Sequence, residues 1–192
     1  AAVVLNPQLT TLQNTHLDFD GTGALPLAQF TRLTGGNITV SAGSYTLSNL
    51  TNVDNTSLRV ENGATLSLPG VTSYTNSTGS PTLEATGAGS RLRLENLSAL
   101  SAVVGTELKA TTGGQLELPR LTTIPATGHE VRTTADGAGS RVDLSALVNY
   151  DSTVSSQFSA TNGGQIVLPD LPDLLVLDVQ TAAQGIVGQT VT

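Results

Sequence analysis

The sequence contains no cysteine, methionine or tryptophan, and only three phenylalanines and three tyrosines among its 192 residues. The absence of cysteine excludes disulfides, thiolate catalysis and cysteine-ligated zinc. With so few aromatic residues, the core has to be built from Leu, Val, Ala and Ile, which supply nearly all of the 38% of hydrophobic residues. A fold that stacks many small aliphatic side chains is therefore favoured.

Basic residues are also scarce, and this limits the partners of the chain. Eight Lys and Arg against fifteen Asp and Glu give a formal net charge of −7. The basic residues form no stripe that could neutralise phosphates. No run of 18 apolar residues occurs, and a membrane-spanning helix needs about that length. We therefore expect neither a nucleic-acid partner nor a membrane span.

Histidine occurs only at His16 and His129, which have no Asp, Glu or His nearby at ligand spacing. We therefore expect surface histidines, no metal site and no cofactor. The chain begins AAVVLNPQ, with neither Met nor a charged signal region, and we expect it to be a segment of a longer protein. Its acidic, Thr-rich and cysteine-free composition favours a secreted or cell-surface protein of bacterial origin.

What the sequence does contain is a repeat that runs along the whole chain. Its clearest copy lies at 113–124, with apolar residues at Leu116, Leu118, Leu121 and Ile124. The same spacing recurs in six further sets: Leu25, Leu27, Phe30 and Leu33; Tyr45, Leu47, Leu50 and Val53; Leu66, Leu68, Val71 and Tyr74; Leu92, Leu94, Leu97 and Leu100; Val142, Leu144, Leu147 and Tyr150; Ile166, Leu168, Leu171 and Leu174. Successive copies start 20 to 26 residues apart. A period in this range is typical of a stacked solenoid.

A short alternating pair and a glycine-bearing turn separate successive copies. The pairs are Leu17 and Phe19, Ile38 and Val40, Leu58 and Val60, Leu83 and Ala85, Leu108 and Ala110, Val131 and Thr133, and Phe158 and Ala160. Alternation with period two predicts strands whose paired residues point inward. Three short strands per coil predict an all-β fold, a right-handed parallel β-helix of about seven coils.

We expect one β-solenoid domain over residues 1–192, in which two types of coil alternate. Residues 1–16 would form an incomplete first coil, 17–179 the regular coils, and 180–192 a partial coil or a tail. Leu-Pro recurs every 50 residues at 68–69, 118–119 and 168–169, and GAGSR at 87–91 recurs at 137–141. Each of these prolines should lie at a corner, because proline cannot donate to a strand ladder.

One corner of the coil varies in length. The gap between the fourth apolar position and the next strand is five residues in the first coils and seven to nine residues later. The longer segments are 75–82, 101–107, 125–130 and 151–157. Stacking should bring them together as one irregular edge, where a solenoid can place recognition. The candidate ligand-binding residues on this edge are His129, Glu130 and Asp151.

The inward pairs also predict an outward column on the same strands. Its members are Asp18, Thr39, Arg59, Glu84, Lys109, Arg132 and Ser159. The simpler interpretation is charge pairing between coils that fixes the register. The alternative is a site of the polysaccharide lyase or glycosidase type, in which Glu84, Lys109 and Arg132 act on an acidic glycan. The shortage of aromatic sugar platforms and of further acids counts against it.

A second outward column is composed of threonines. Its predicted members are Thr86, Thr111, Thr134 and Thr161. Such a column raises ice binding as a third class of function. A ladder of hydroxyl groups, with threonine favoured by its β propensity, is the simpler interpretation.

The repeat itself resembles a known kind of sequence. Written as LxLPxLTxL, as in 116–124, and GAGSxLxL, as in 87–94, it resembles β-helical repeat regions of very large bacterial surface or secreted proteins, over roughly 9–179. It is also somewhat similar to L-domain and leucine-rich solenoids, although the Asn that follows the LxL in those repeats is absent. The resemblance implies a non-enzymatic stalk, spacer or adhesive module without catalytic residues. Its partners would be neighbouring modules of the same polypeptide, with a glycan or another surface protein as candidate ligand.

Overall fold

The computed structural model describes residues 8–23, 25–126, 129–152, 156–169, 177–181 and 186–187, with the backbone alone at 126, 151, 152, 156, 177–181 and 186–187. These residues contain 21 short strands, a single 3-10 turn at Leu27–Gln29 and no α-helix. Every pair of neighbouring strands is parallel. The strands stack as a β-solenoid of about six turns, which confirms the predicted fold and comes close to the predicted seven coils.

The strands, numbered β1 to β21 in chain order, lie on three faces. The long face consists of β2 (His16–Phe19), β4 (Gly36–Val40), β6 (Thr56–Glu61), β9 (Thr82–Thr86), β12 (Thr106–Thr111), β15 (Val131–Asp136), β18 (Ser156–Thr161) and β20 (Leu177–Thr181). The second face consists of β5 (Ser44–Thr46), β7 (Thr65–Ser67), β10 (Arg91–Arg93), β13 (Gln115–Glu117), β16 (Arg141–Asp143), β19 (Gln165–Val167) and β21 (Ile186–Val187). The third face carries β1 (Thr11–Gln13) paired with β3 (Arg32–Thr34), and the four-stranded sheet of β8 (Ser73–Asn76), β11 (Ala99–Ala102), β14 (Thr123–Ala126) and β17 (Asn149–Ser152).

The core is a set of aliphatic columns between these faces. Strand register places like residues against each other, for example Leu58 against Leu83 and Leu92 against Leu116. Nearly all of the predicted inward positions between residues 30 and 168 are buried. The exceptions there are Tyr45 and Tyr150, which, like Leu25 and Leu27 of the first coil, are partly buried against the core. Leu171 and Leu174 lie outside the described residues.

The register predicted for β15 is wrong by two residues. Thr133 lies opposite Leu108, and Ala135 lies opposite Ala110, so that Val131 matches Thr106. Thr133 is 1% exposed and occupies a position that holds leucine in the preceding coil. Because threonine has nearly the shape of valine, it can fill this slot, whereas hydrophobicity alone assigned the slot to Val131.

From residue 61 onward, the glycine turns between the long and second faces alternate between two kinds, as the 50-residue recurrence predicts. At the turns of 61–64, 111–114 and 161–164, a residue with positive φ precedes a positive-φ glycine. The two GAGS turns supply a serine to the turn one coil earlier. Ser90 Oγ accepts the amide of Gly63 and Ser140 Oγ accepts the amide of Gly113, both at 2.9 Å. Each serine therefore joins a turn of one kind to a turn of the other.

The corner between the third and long faces is more regular than the sequence suggested. In the later coils, part of each additional segment extends the four-stranded sheet: Thr75 pairs with Ser101, and Asn76 pairs with Ala102. The Asn76 side chain is buried and donates to Val104 O, Gly105 O and Thr106 Oγ1. In the segments 75–82 and 101–107 the corner is therefore tied to the sheet by backbone pairing and by the Asn76 carboxamide.

Candidate functional site

Glu84 lies at the centre of a charged cluster on the outer surface of the long face. In-register pairing places it between Arg59 and Lys109. Arg59 donates to Glu84 and, through Nε, to Glu61 at 2.9 Å, while Lys109 Nζ lies 3.3 Å from Glu84 Oε1. The hydrogen bond to Glu61 is the main cause of a raised pKa of Arg59, to which Glu84 adds. Both Glu84 oxygens face cations, and its side chain is only 9% exposed, so the cluster is well suited to fixing register.

Arg132 lies outside that cluster. Because of the register of β15, Arg132 is the neighbour of Glu107, whereas Thr134 takes the place beside Lys109. Arg132 Nε donates to Glu130 Oε1 at 2.7 Å, and this bond raises the pKa of the guanidinium. The three-residue constellation expected from the sequence is therefore reduced to the pair of Glu84 and Lys109.

The predicted edge residues occupy the corner between the third and long faces. His129 is exposed, and Glu130 is engaged with Arg132. Asp151 lies in β17 opposite Pro125 of β14, and its side chain is outside the described part of the structure. A shallow cleft of about 240 Å³ opens here, lined by Ser80, Gly105, Thr106, Glu107, Glu130 and Arg132. The cation of this cleft, Arg132, already pairs with Glu130.

A second charged ladder, which was not predicted from the sequence, lies on the second face. Arg91 Nη1 and Arg93 Nε donate to the two oxygens of Glu117 at 3.0 and 2.8 Å, and Arg141 donates to Asp143 at 2.8 Å. Burial would raise the pKa of Asp143, but hydrogen bonds, including that from Arg141, hold it below its ordinary value. The signal was the alternation of charged residues around one core residue in RLR at 91–93 and RVD at 141–143.

The threonine column is interrupted by a carboxylate. Thr86 and Thr111 are neighbours, as predicted, but the next member is Asp136, followed by Thr161. Thr111 Oγ1 donates to Thr86 Oγ1 at 2.8 Å, and Thr161 Oγ1 donates to Asp136 Oδ1 at 2.7 Å. The latter bond lowers the pKa of Asp136. The threonine hydroxyls therefore hydrogen-bond to the neighbouring coil within this column, and the Asp136 carboxylate separates Thr111 from Thr161.

An apolar cleft of about 250 Å³ opens at the first coil. It is lined by His16, Leu17, Asp18, Phe19, Asp20, Gly21, Gly23, Leu25, Leu27 and Tyr45. Residues 25–26, which precede the 3-10 turn at Leu27–Gln29, are not part of a strand, and β5 is the edge strand of its sheet. Inward side chains are consequently less well covered, and the rings of Phe19 and Tyr45 pack at 4.7 Å.

A polar cleft of about 300 Å³ lies where the short corners meet the first long one. We call it the corner notch; its lining is Gln13, Asn14, Arg32, Thr34, Gly35, Asp54, Asn55 and Thr78. Three of these residues turn the short corners with positive φ: Asn14 at 51°, Gly35 at 62° and Asn55 at 57°. Asn and Gly tolerate this left-handed conformation better than other residues. The notch was missed from sequence because its residues come from four successive coils.

One wall of the corner notch is held by hydrogen bonds. Asn55 Oδ1 accepts the amides of Ser77 and Thr78 at 2.7 and 3.0 Å, which fixes the longer corner above the short one. Asp54 Oδ1 accepts the amide of Thr75 at 2.7 Å, and Asp54 Oδ2 accepts from Asn52 Nδ2 at 2.9 Å. This wall of the recess is therefore fixed by hydrogen bonds to backbone amides.

Comparison with known proteins adds no further assignment. No family model, curated protein or solved structure is significantly similar to this chain. Among the described residues, no helix has the length and apolarity required to cross a membrane. The same residues contain no group of three or more His, Cys, Asp or Glu placed to hold a metal ion.

Proposed function

We propose that the chain is a non-enzymatic structural and adhesive module, a segment of a larger surface or secreted protein. The observation that supports this most is the continuous aliphatic stack, in which Leu92, Leu116, Val142 and Ile166 follow one another in register. Such a stack gives a stiff rod of defined length. Eight long-face strands at the usual spacing of about 4.8 Å span about 34 Å.

The outer faces fit the same role. Cross-strand ion pairs on the long and second faces, such as those of Glu84 and Glu117, tie one coil to the next. Each exposed pair contributes only about 0.2–1 kcal/mol, but their regular placement disfavours a slipped register. The corners, which are free of most core positions, can then vary in sequence and bind ligands without disturbing the rod.

Two features weigh against the alternative functions. An acid-base mechanism requires a group that is available to exchange a proton with substrate, and Glu84 is engaged by two cations and nearly buried. Ice binding requires flat rows of small hydroxyl residues, and Asp136 breaks the threonine row. We therefore rank a carbohydrate-active enzyme second and ice binding third.

The proposal is tested with beads that carry the full chain, applied to surfaces coated with pectin, alginate and neutral polysaccharides. We expect selective retention on at least one surface, without release of unsaturated or reducing ends into solution. Release of such ends that disappears in Lys109→Ala would overturn the proposal in favour of the enzyme. Absence of retention on every surface and on cells would overturn the adhesive part.

A further inference from the structure

We propose that the corner notch binds a saccharide that carries a carboxylate, such as a uronic acid unit of an acidic glycan. This inference rests on the proposed adhesive function and specifies its ligand. It starts from the shape of the notch: the short corners at Asn14 and Gly35 leave a recess, and the longer corner at 75–82 forms its overhanging wall. A volume of about 300 Å³ lies at the small end of ligand sites and matches one or two sugar rings.

Apart from Asp54 and Asn55, the polar side chains of the notch are not engaged by the described part of the protein. Those of Gln13, Asn14, Arg32, Thr34 and Thr78 make no hydrogen bond or ion pair with any other described residue. In the cleft at the long corners, by contrast, the cation Arg132 is already paired with Glu130. A fixed recess lined by unpaired donors and acceptors is what a hydrogen-bonding ligand requires.

The two equivalent asparagines show this difference directly. Asn55 and Asn14 both turn a short corner with positive φ. Asn55 uses its carboxamide oxygen to hold Ser77 and Thr78. Asn14 has only Gly35 in the corner above it, and its Oδ1 lies over the position where a Cβ of Gly35 would be. Its carboxamide is therefore exposed in the notch without a protein partner.

The notch contains one cation, Arg32, and one carboxylate, Asp54, whose two oxygens already accept hydrogen bonds from Thr75 and Asn52, so that Arg32 is the charged group left for a ligand. Six of the eight cationic side chains form ion pairs with carboxylates: Arg59, Arg91, Arg93, Lys109, Arg132 and Arg141. Arg120 instead donates to the carboxamide of Asn96 at 3.1 Å. Arg32 has neither kind of partner among the described residues, although the chain has an excess of acids. Its guanidinium fork matches a carboxylate in a bidentate geometry.

The remaining chemistry indicates a sugar and not a simple anion. Amides at Gln13 and Asn14 and hydroxyls at Thr34 and Thr78 can both donate and accept, which suits the vicinal hydroxyls of a pyranose. The lining contains no aromatic residue, so stacking does not contribute and a single site binds weakly. Repetition of the ligand along a polysaccharide, or of the module along a surface, would raise the avidity.

The test uses the full chain and calorimetric titration with trigalacturonate, followed by titration of Arg32→Gln, Asn14→Gly and the control Arg120→Gln. We expect the first variant to bind roughly tenfold more weakly or worse, because a charge-assisted contact is lost. Asn14→Gly retains the backbone conformation and should weaken binding several-fold. Arg120→Gln should bind like the parent, and all three should melt near the parent temperature.

Each of several outcomes would overturn the inference. These are no binding of trigalacturonate by the parent chain, equal binding by Arg32→Gln, equal binding of a neutral maltotriose, and displacement by acetate at the same carboxylate concentration. The adhesive proposal is judged separately by the bead assay. If beads carrying Arg32→Gln are retained like the parent, the notch is not the site although the module remains adhesive.

Discussion

The early and late coils share one core but differ in a single corner, and this difference shapes the surface. In the early coils one positive-φ residue, such as Asn14 or Gly35, turns the chain from the third face to the long face. In the late coils the same corner is longer, and its first residues extend the third-face strands β8, β11, β14 and β17. The stacked aliphatic positions therefore define the rod. The length of the corner decides where its surface has a recess, because a short corner next to a long one leaves space.

The change in corner length also changes the role of asparagine at equivalent positions. Asn55, directly below the first long corner, uses its carboxamide to hold that corner. Asn14, below a short corner, has no such contact. Equivalent positions in a repeat therefore divide into one that stabilises the fold and one that is available for binding.

A charge placed in the core should give the largest difference in stability loss between a central late coil and the first coil. Leu118 is fully buried, so Leu118→Asp places an unpaired carboxylate in the stack and should cost about 4 kcal/mol or more. Leu27→Asp, at a partly buried position of the first coil, should cost less. The control Val148→Asp, at a residue that is 70% exposed, should stay within about 0.5 kcal/mol. Urea unfolding measures all three, and a Leu118→Asp protein that unfolds like the parent would show that this side chain does not face inward.

A methyl group added at a glycine tests how closely neighbouring coils approach. A Cβ at Gly114 would lie 2.2 Å from Ala85 O, so Gly114→Ala should cost about 1–3 kcal/mol by overpacking. Gly105 lies in a long corner, where the nearest atoms to a Cβ are at 3.9 Å and φ is not positive. Gly105→Ala should be neutral or slightly stabilising. Thermal unfolding of the two variants measures this difference, and equal melting temperatures would contradict the close approach at Gly114.

Removing the two corner carboxamides tests the division of roles directly. Asn55→Gly keeps the positive φ but removes the hydrogen bonds to Ser77 and Thr78, at an expected cost of about 1 kcal/mol. Asn14→Gly removes no protein contact and should change stability by only a few tenths of a kcal/mol. Hydrogen exchange at the amides of Ser77 and Thr78 should accelerate in the first variant alone. Equal acceleration in both would contradict the distinction.

The solenoid could be predicted because its core is repetitive in chemistry as well as in position. Columns such as Leu66, Leu92 and Leu116 require aliphatic residues in every coil, and this requirement is visible as a period. The error at β15 arose where the chemistry departs from the pattern. Thr133 fills a leucine position, and Val131 fills a position that holds threonine in the preceding coil. A pattern based on hydrophobicity alone cannot detect such an exchange.

The clefts could not be predicted in the same way, because they depend on which side chains are left without partners. Arg32 looks no different in sequence from Arg59, yet Arg59 binds two carboxylates and Arg32 binds none in the described structure. Similarly, Asn14 and Asn55 occupy equivalent corners, and only the length of the corner above them distinguishes their contacts. Such differences follow from three-dimensional neighbours in adjacent coils and have no local sequence signal.

The smallest expected effect is a pH dependence confined to the early coils. His16 Nδ1 contacts the carboxamide oxygen of Asn37, and His16 Nε2 lies 2.7 Å from Asp18 Oδ1. The Asn37 contact is the main cause of a raised pKa of His16, and Asp18 adds to it. Because the folded pKa exceeds the unfolded value, the added stability is complete below the unfolded pKa and is lost as pH rises through the folded pKa. The melting temperature should therefore fall slightly from about pH 5 to about pH 8, and less so in Asn37→Ala.

Titration of the His16 ring by NMR gives the direct measurement: Asn37→Ala should lower the midpoint of the His16 titration more than Asp18→Asn does. A parent midpoint at or below that of histidine in an unfolded peptide would contradict these contacts.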